Sequence, residues 1–89
     1  MTVIVTTRLR GLSPEAYEHT AAQLRDALRA ADGFVAHAAA ADDDGVVVVT
    51  EIWRERDDWR QFFASYVEPN LPHTVPPPTV VEARSSILR

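Results

Sequence analysis

Residues 44–53 read DGVVVVTEIW, and the fold turns on this stretch. Four consecutive valines favour a strand, because a branched Cβ suits a pleated surface and loses rotamer freedom in a helix. The Asp-Gly pair before them is a hairpin signal. Successive strand side chains point to opposite faces, so Val46 and Val48 lie on one side and Val47 and Val49 on the other. A strand with one face in water alternates apolar with polar residues. This one is apolar on both faces, so both need cover.

On the N-terminal side, residues 34–41, FVAHAAAA, contain alanines that prefer a helix. Their flanks, Gly33 and the DDDG turn at 42–45, make them instead the first strand of a hairpin whose second strand is 46–53. Further upstream, Ser13 reads as an N-cap, Pro14 as the first helical residue and Glu15 as a carboxylate near the positive helix end. Leu12 and Tyr17 have the spacing of a hydrophobic staple. Tyr17, Ala21, Leu24, Leu28 and Ala31 form one apolar stripe, and Gly33 ends the helix. Before it, TVIVTTRL at 2–9 reads as a strand. Downstream, a second helix starts near Arg56, has Asp57 and Asp58 in its first turn, and carries Trp59, Phe62, Phe63, Tyr66 and Val67 at helical spacing. Pro69 disturbs that helix or starts a fresh turn. PHTVPPP at 72–78 is a stiff connection, and TVVEARSSI at 79–87 is the last strand.

The order βαββαβ predicts an α+β, ferredoxin-like fold with a four-stranded antiparallel sheet. Right-handed crossovers place both helices on one face. The other face is then a bare apolar patch, and its simplest cover is the same face of a second copy. A homodimer is expected, with the binding cavity between the two sheets.

The 89 residues make one domain, 1–89. A net charge of −4 argues against nucleic acid or an anionic membrane as partner. With no cysteine there is no disulfide framework, thiolate nucleophile or Cys-ligated zinc. The N-terminal MTVIVTTRLR is too short and too interrupted for a signal peptide, and no stretch approaches a membrane span, so a cytoplasmic location is expected. There is no glycine-rich phosphate loop, no H-E-x-x-H and no G-x-S-x-G, and three scattered histidines make no strong metal site, though His37 with Glu51 stays open as a pair of ligands. The expectation is a protein without flavin, nicotinamide or metal.

The segment DGVVVVTEIWRERDDWRQFFASYVEPNLP, with Gly33-Phe34-Val35-Ala36-His37 upstream, resembles the antibiotic-biosynthesis-monooxygenase-like proteins of the dimeric α/β-barrel superfamily. The telling pieces are Glu51-Ile52-Trp53 ending the third strand, the aromatic second helix, and Leu71-Pro72 before a proline-containing loop. The resemblance covers nearly the whole chain and implies a dimeric α/β barrel. It also implies a cofactor-independent oxygenase that removes a proton from a polycyclic or phenolic aromatic, leaving an electron-rich anion to react with oxygen. From a different class, a non-catalytic small-molecule-binding or assembly subunit has the same architecture.

Glu51 and Trp53 share a strand face with Val47 and Val49. If that face lines the cavity, desolvation turns the Glu51 carboxylate into a base; otherwise it is an ion-pair partner of Arg84 or Arg8. Trp53 is then a wall for an aromatic ligand, or core. We assign Glu51 and Trp53 to the intersheet cavity and Val48 and Ile52 to the helices, since a carboxylate is cheaper where water can enter. His37, central in its strand, is a second candidate base, or a satisfied interior or dimer-seam histidine. Tyr66 and Trp53 would position a ring, Arg84 would stabilise negative charge, and His73 sits where it can cap the cavity mouth. His19 lies off its helix's apolar stripe and is expected in solvent, and the other helix-two aromatics read as core. Haem-degrading members of the superfamily use an Asn on the first strand and a Trp and a His on the second helix. Thr7, Trp59 and Pro69 stand there in this chain, so two of the three are missing and haem is not expected. Thr7 remains as a polar contact to the ligand.

Light scattering at micromolar concentration is expected to give about 20 kDa, twice the 9.9 kDa chain. A monomer at that concentration would overturn the argument from the bare face.

Overall fold

The computed structural model describes residues 1–71 and 75–87. The elements are β1 (Val3–Leu9), α1 (Pro14–Ala30), β2 (Phe34–Ala41), β3 (Val47–Trp53), α2 (Arg56–Phe62) and β4 (Thr79–Glu82). A π-helical segment, Phe63–Val67, and a 3-10 turn, Glu68–Asn70, continue α2. The strands form one antiparallel sheet in the order β2-β3-β1-β4, which is the ferredoxin-like arrangement. No helix among the described residues is long and apolar enough to cross a membrane.

Local chemistry sets the boundaries. The Ser13 hydroxyl accepts the Ala16 amide at 3.1 Å, and Pro14 follows in the first turn. Past the other end of α1, Gly33 has φ +79, and a Cβ there would lie 2.2 Å from Asp58 Oδ2, so only glycine fits between the two helices. The second helix changes pitch at Phe63, and Pro69 sits in the first turn of the 3-10 segment that Glu68 begins, where its missing amide hydrogen costs no helical bond. β4 is four residues, shorter than the 79–87 expected, because its pairing with β1 ends at Glu82 opposite Val3.

The β2–β3 turn is built on Asp42. Its Oδ1 accepts the amides of Asp44 (2.9 Å) and Val46 (3.0 Å), and its Oδ2 accepts Arg8 Nη2 at 2.6 Å. These donors, the Val46 amide foremost, hold the Asp42 carboxyl below its usual range.

The core lies on one side of the sheet. Val3, Val5, Trp53 and Phe62 form one buried cluster, joined by Leu28, Phe34 and Trp59. Leu9, Val47 and Val49 form a second, covered by Leu12, Tyr17, Leu71 and Val75. Trp53 has no exposed surface and packs between Phe34 and Phe62, with ring centroids 5.5 and 5.6 Å away. The face bearing Val47, Val49, Glu51 and Trp53 is therefore the helix face, the reverse of the assignment from the sequence. Val48 and Ile52 lie on the open face with Ile4, Thr6 and Val81. The reversal has a physical reason. An indole in full burial outweighs one carboxylate, and the carboxylate finds donors beneath the helices.

Asp42→Ala is expected to lower the thermal midpoint at neutral pH. A carboxyl whose folded pKa is depressed stabilises the fold above its unfolded pKa, and that contribution is lost as pH falls through the folded value. The gap between wild type and variant should narrow as pH falls through the carboxylate range, in thermal unfolding followed by circular dichroism. A gap independent of pH would show that the carboxylate charge does not matter.

Candidate functional site

The α1 helix buries none of its residues completely. It stands off the sheet and leaves a cleft of about 1280 Å³ among α1, the sheet and the α2 segment. Thr7, Val49, Glu51 and His37 line it from the sheet, Tyr17, Leu24 and Leu28 from α1, and Trp59, Phe63 and Tyr66 from the second helix. This cleft lies within a single chain, between sheet and helices; the cavity expected between two sheets needs a second copy of the chain.

A β-bulge between Phe34 and Ala36 is what brings His37 here. In an unbroken strand, positions 34 and 37 would face opposite sides. With one residue out of register, Phe34 packs on Trp53 while His37 pairs with Glu51 on the same side of the sheet.

Four side chains from three elements form one hydrogen-bonded line. Trp53 Nε1 donates to Glu51 Oε1 at 3.0 Å, and Glu51 Oε2 lies 2.8 Å from His37 Nδ1. His37 Nε2 lies 2.5 Å from the Tyr17 hydroxyl, with the two rings parallel to within 2°. The directions come from donor chemistry. A carboxylate only accepts, so His37 carries its proton on Nδ1, and Nε2 accepts from Tyr17. The side chains of Glu51 and His37 are 15% and 25% exposed, so the pair is sheltered but open to the cleft. Burial, and then the Glu51 charge, push the Tyr17 pKa up to about 12, which keeps the phenol protonated. The arrangement can accept a proton at the imidazole and stabilise the resulting cation through Glu51, as in a nucleophile–histidine–carboxylate triad.

The structure brings together His37, Glu51, Thr7 and Tyr66 of the candidates named from the sequence, all at the cleft. Tyr66 stacks on Phe62 at 5.0 Å and is 48% exposed, at the rim. Trp59 and Phe63, read as core, stack on each other at 5.2 Å and line the cleft as well. Trp53 lines no part of it; it holds Glu51 from the core. Arg84 is exposed beyond β4, and Arg8 pairs with Asp42, so neither arginine meets Glu51. His19 is exposed and lies 3.4 Å from Gln23. His73 lies outside the described residues. No group of three His, Cys, Asp or Glu that could hold a metal occurs among the described residues.

Tyr17 is the site residue that sequence reasoning missed, because the staple and the apolar stripe of α1 already account for it. The available signal was a phenol where an aliphatic residue would pack equally well, since a buried phenol seeks a polar partner.

Crystal structures of SnoaB, a cofactor-independent oxygenase from Streptomyces nogalater, share the fold. One has a TM-score of 0.66 at 20% identity, covering 99% of this chain and 97% of that one. A mutant of SnoaB gives 0.64 at 21% identity over 99% and 96%. No curated protein matches the sequence. The model of the family described as antibiotic biosynthesis monooxygenase matches residues 1–71, which include every residue of the Tyr17–His37–Glu51–Trp53 line. The chain belongs to the antibiotic biosynthesis monooxygenase family.

Proposed function

We propose that this protein is a cofactor-independent monooxygenase for a polycyclic, polyketide-like aromatic bound in the cleft between sheet and helices. The observation that carries the reading is the His37–Glu51 pair, at 2.8 Å, opening into a cleft with aromatic walls. His37 holds the proton that the substrate gives up, and Glu51 orients the ring and faces the imidazolium that forms. Trp59, Phe63 and Tyr66 hold the flat substrate, and Thr7 offers it a hydroxyl. Loss of the proton leaves an electron-rich anion that reduces oxygen directly. Anthrone is a simple three-ring substrate of this kind. Its methylene becomes a carbonyl, one oxygen atom enters the product and the other leaves as water with the two hydrogens, and the methylene carbon supplies all four electrons.

The family and the bare sheet face support a homodimer. Ile4 pairs with Ile52 and Val81 across the strands of that face, and Val81 is 50% exposed. A second reading, a small-molecule-binding subunit without turnover, has one observation in its favour. The polar groups of the cleft bond one another, and no buried side-chain nitrogen or oxygen among the described residues lacks a partner.

Oxygen uptake with anthrone separates the two. The wild type is expected to consume one O₂ per anthrone, to place a single ¹⁸O from ¹⁸O₂ in the product, and to be indifferent to a chelator. His37→Ala should lower kcat by roughly 10²–10⁴-fold, the usual worth of a positioned base, and Glu51→Gln by less. Binding without uptake above the spontaneous rate would favour the subunit reading.

A further inference from the structure

A neutral imidazole has one lone pair available, and in His37 it is already taken. Nε2 accepts the Tyr17 hydroxyl at 2.5 Å, while Nδ1–H is committed to Glu51 at 2.8 Å. A molecule in the cleft therefore finds no open position on the histidine. It finds Tyr17, which lines the same cleft and whose oxygen, while donating to His37, keeps both of its lone pairs.

We propose that Tyr17 is the catalytic residue that touches the substrate, accepting the proton of a phenolic or enolic hydroxyl while passing its own to His37 Nε2. This deepens the oxygenase reading but needs it only for the reaction with oxygen after ionisation. The substrate O–H bond breaks and a new Tyr17 O–H bond forms. The old Tyr17 O–H bond breaks and an Nε2–H bond forms. The substrate keeps the electron pair as a phenolate or enolate, and the imidazolium is held by Glu51. The two hydrogen bonds that carry the protons, substrate to Tyr17 and Tyr17 to His37, reverse direction, while His37 Nδ1–H and the Trp53 indole N–H go on donating to Glu51.

The arrangement selects a substrate class. Protons pass readily along a formed O–H···N line. A C–H bond needs a strong, localised base, and a protonated phenol is not one. Tyr17 is kept protonated by burial and by the Glu51 charge, so the two transfers are concerted and no tyrosinate intervenes. The preferred substrate then presents a hydroxyl to Tyr17. A carbon acid such as anthrone enters as its enol, which yields the same anion as loss of the C–H proton.

The test uses 4-nitrophenol, whose phenol and phenolate forms absorb at different wavelengths, and 4-nitroanisole, which lacks the proton. Saturating wild type is expected to lower the ionisation midpoint of bound 4-nitrophenol by about one unit, a tenfold change in the equilibrium. The His37 Hε1 resonance should move to its imidazolium position at the same time. Tyr17→Phe should bind 4-nitroanisole as the wild type does and lose the shift. Should that variant fail to fold, 3-fluorotyrosine labels Tyr17 and Tyr66, the only two tyrosines in the chain. The Tyr17 line, which survives in Tyr66→Phe, should then respond to 4-nitrophenol and not to 4-nitroanisole.

Ionisation by Tyr17→Phe equal to that by the wild type would overturn the proposal, because His37 would then be taking the proton directly. So would a wild type that leaves 4-nitrophenol protonated, or a silent Tyr17 line. A wild type that ionises the phenol but consumes no oxygen with anthrone would leave the relay standing and remove the oxygenase reading.

Discussion

A carboxylate beneath the helices of a small protein must have its charge answered, and Glu51 is answered twice. One oxygen takes the Trp53 indole N–H and the other takes the His37 Nδ1–H. Glu51 is partly buried, its side chain 15% exposed, and a sheltered charged acceptor is costly to leave without its donors. The partners are therefore constrained as strictly as the carboxylate. Trp53 must present its N–H along β3 while its ring fills the core. His37 must sit opposite Glu51 on β2, with its protonation pattern set by what it faces. Tyr17 then closes the line from α1.

The same line accounts for the cleft. A helix pressed tightly onto the sheet would leave no room for a polar floor. Here α1 touches the sheet through Tyr17 near its N-terminus and through Ala27 and Leu28 near its C-terminus, with none of its residues fully buried. Between these ends lies the space that a ligand would fill. The apolar surface this leaves uncovered makes the isolated fold less favourable, since small domains already bury a modest share of their surface. The cleft and the marginal packing of α1 are two descriptions of one feature.

The bulge in β2 illustrates how a local irregularity serves both core and site. Phe34 is needed against Trp53, and His37 against Glu51, yet three residues of regular strand would put them on opposite faces. Inserting one residue resolves the conflict. Nothing in FVAHAAAA announces this. Its alanines neither forbid nor require a bulge, and the need arises only from side chains on β3.

Features that depend on neighbours along the chain were legible in the order of amino acids. The valine run made β3, Ser13 and Pro14 started α1, and the Asp-Gly turn joined β2 to β3; the βαββαβ order and the family resemblance grew from these. Period-two spacing also established that Glu51 and Trp53 share a face. It could not say which face, because reversing the sheet leaves the alternation unchanged. Packing of the helices on the sheet settled that, by burying Trp53 completely and giving Glu51 donors in place. It also brought the candidate site together, since Tyr17, His37 and Glu51 lie on separate elements and become a line only when the sheet and α1 meet. Periodicity reports burial one element at a time, whereas a hydrogen bond between elements depends on register, bulge and helix position at once.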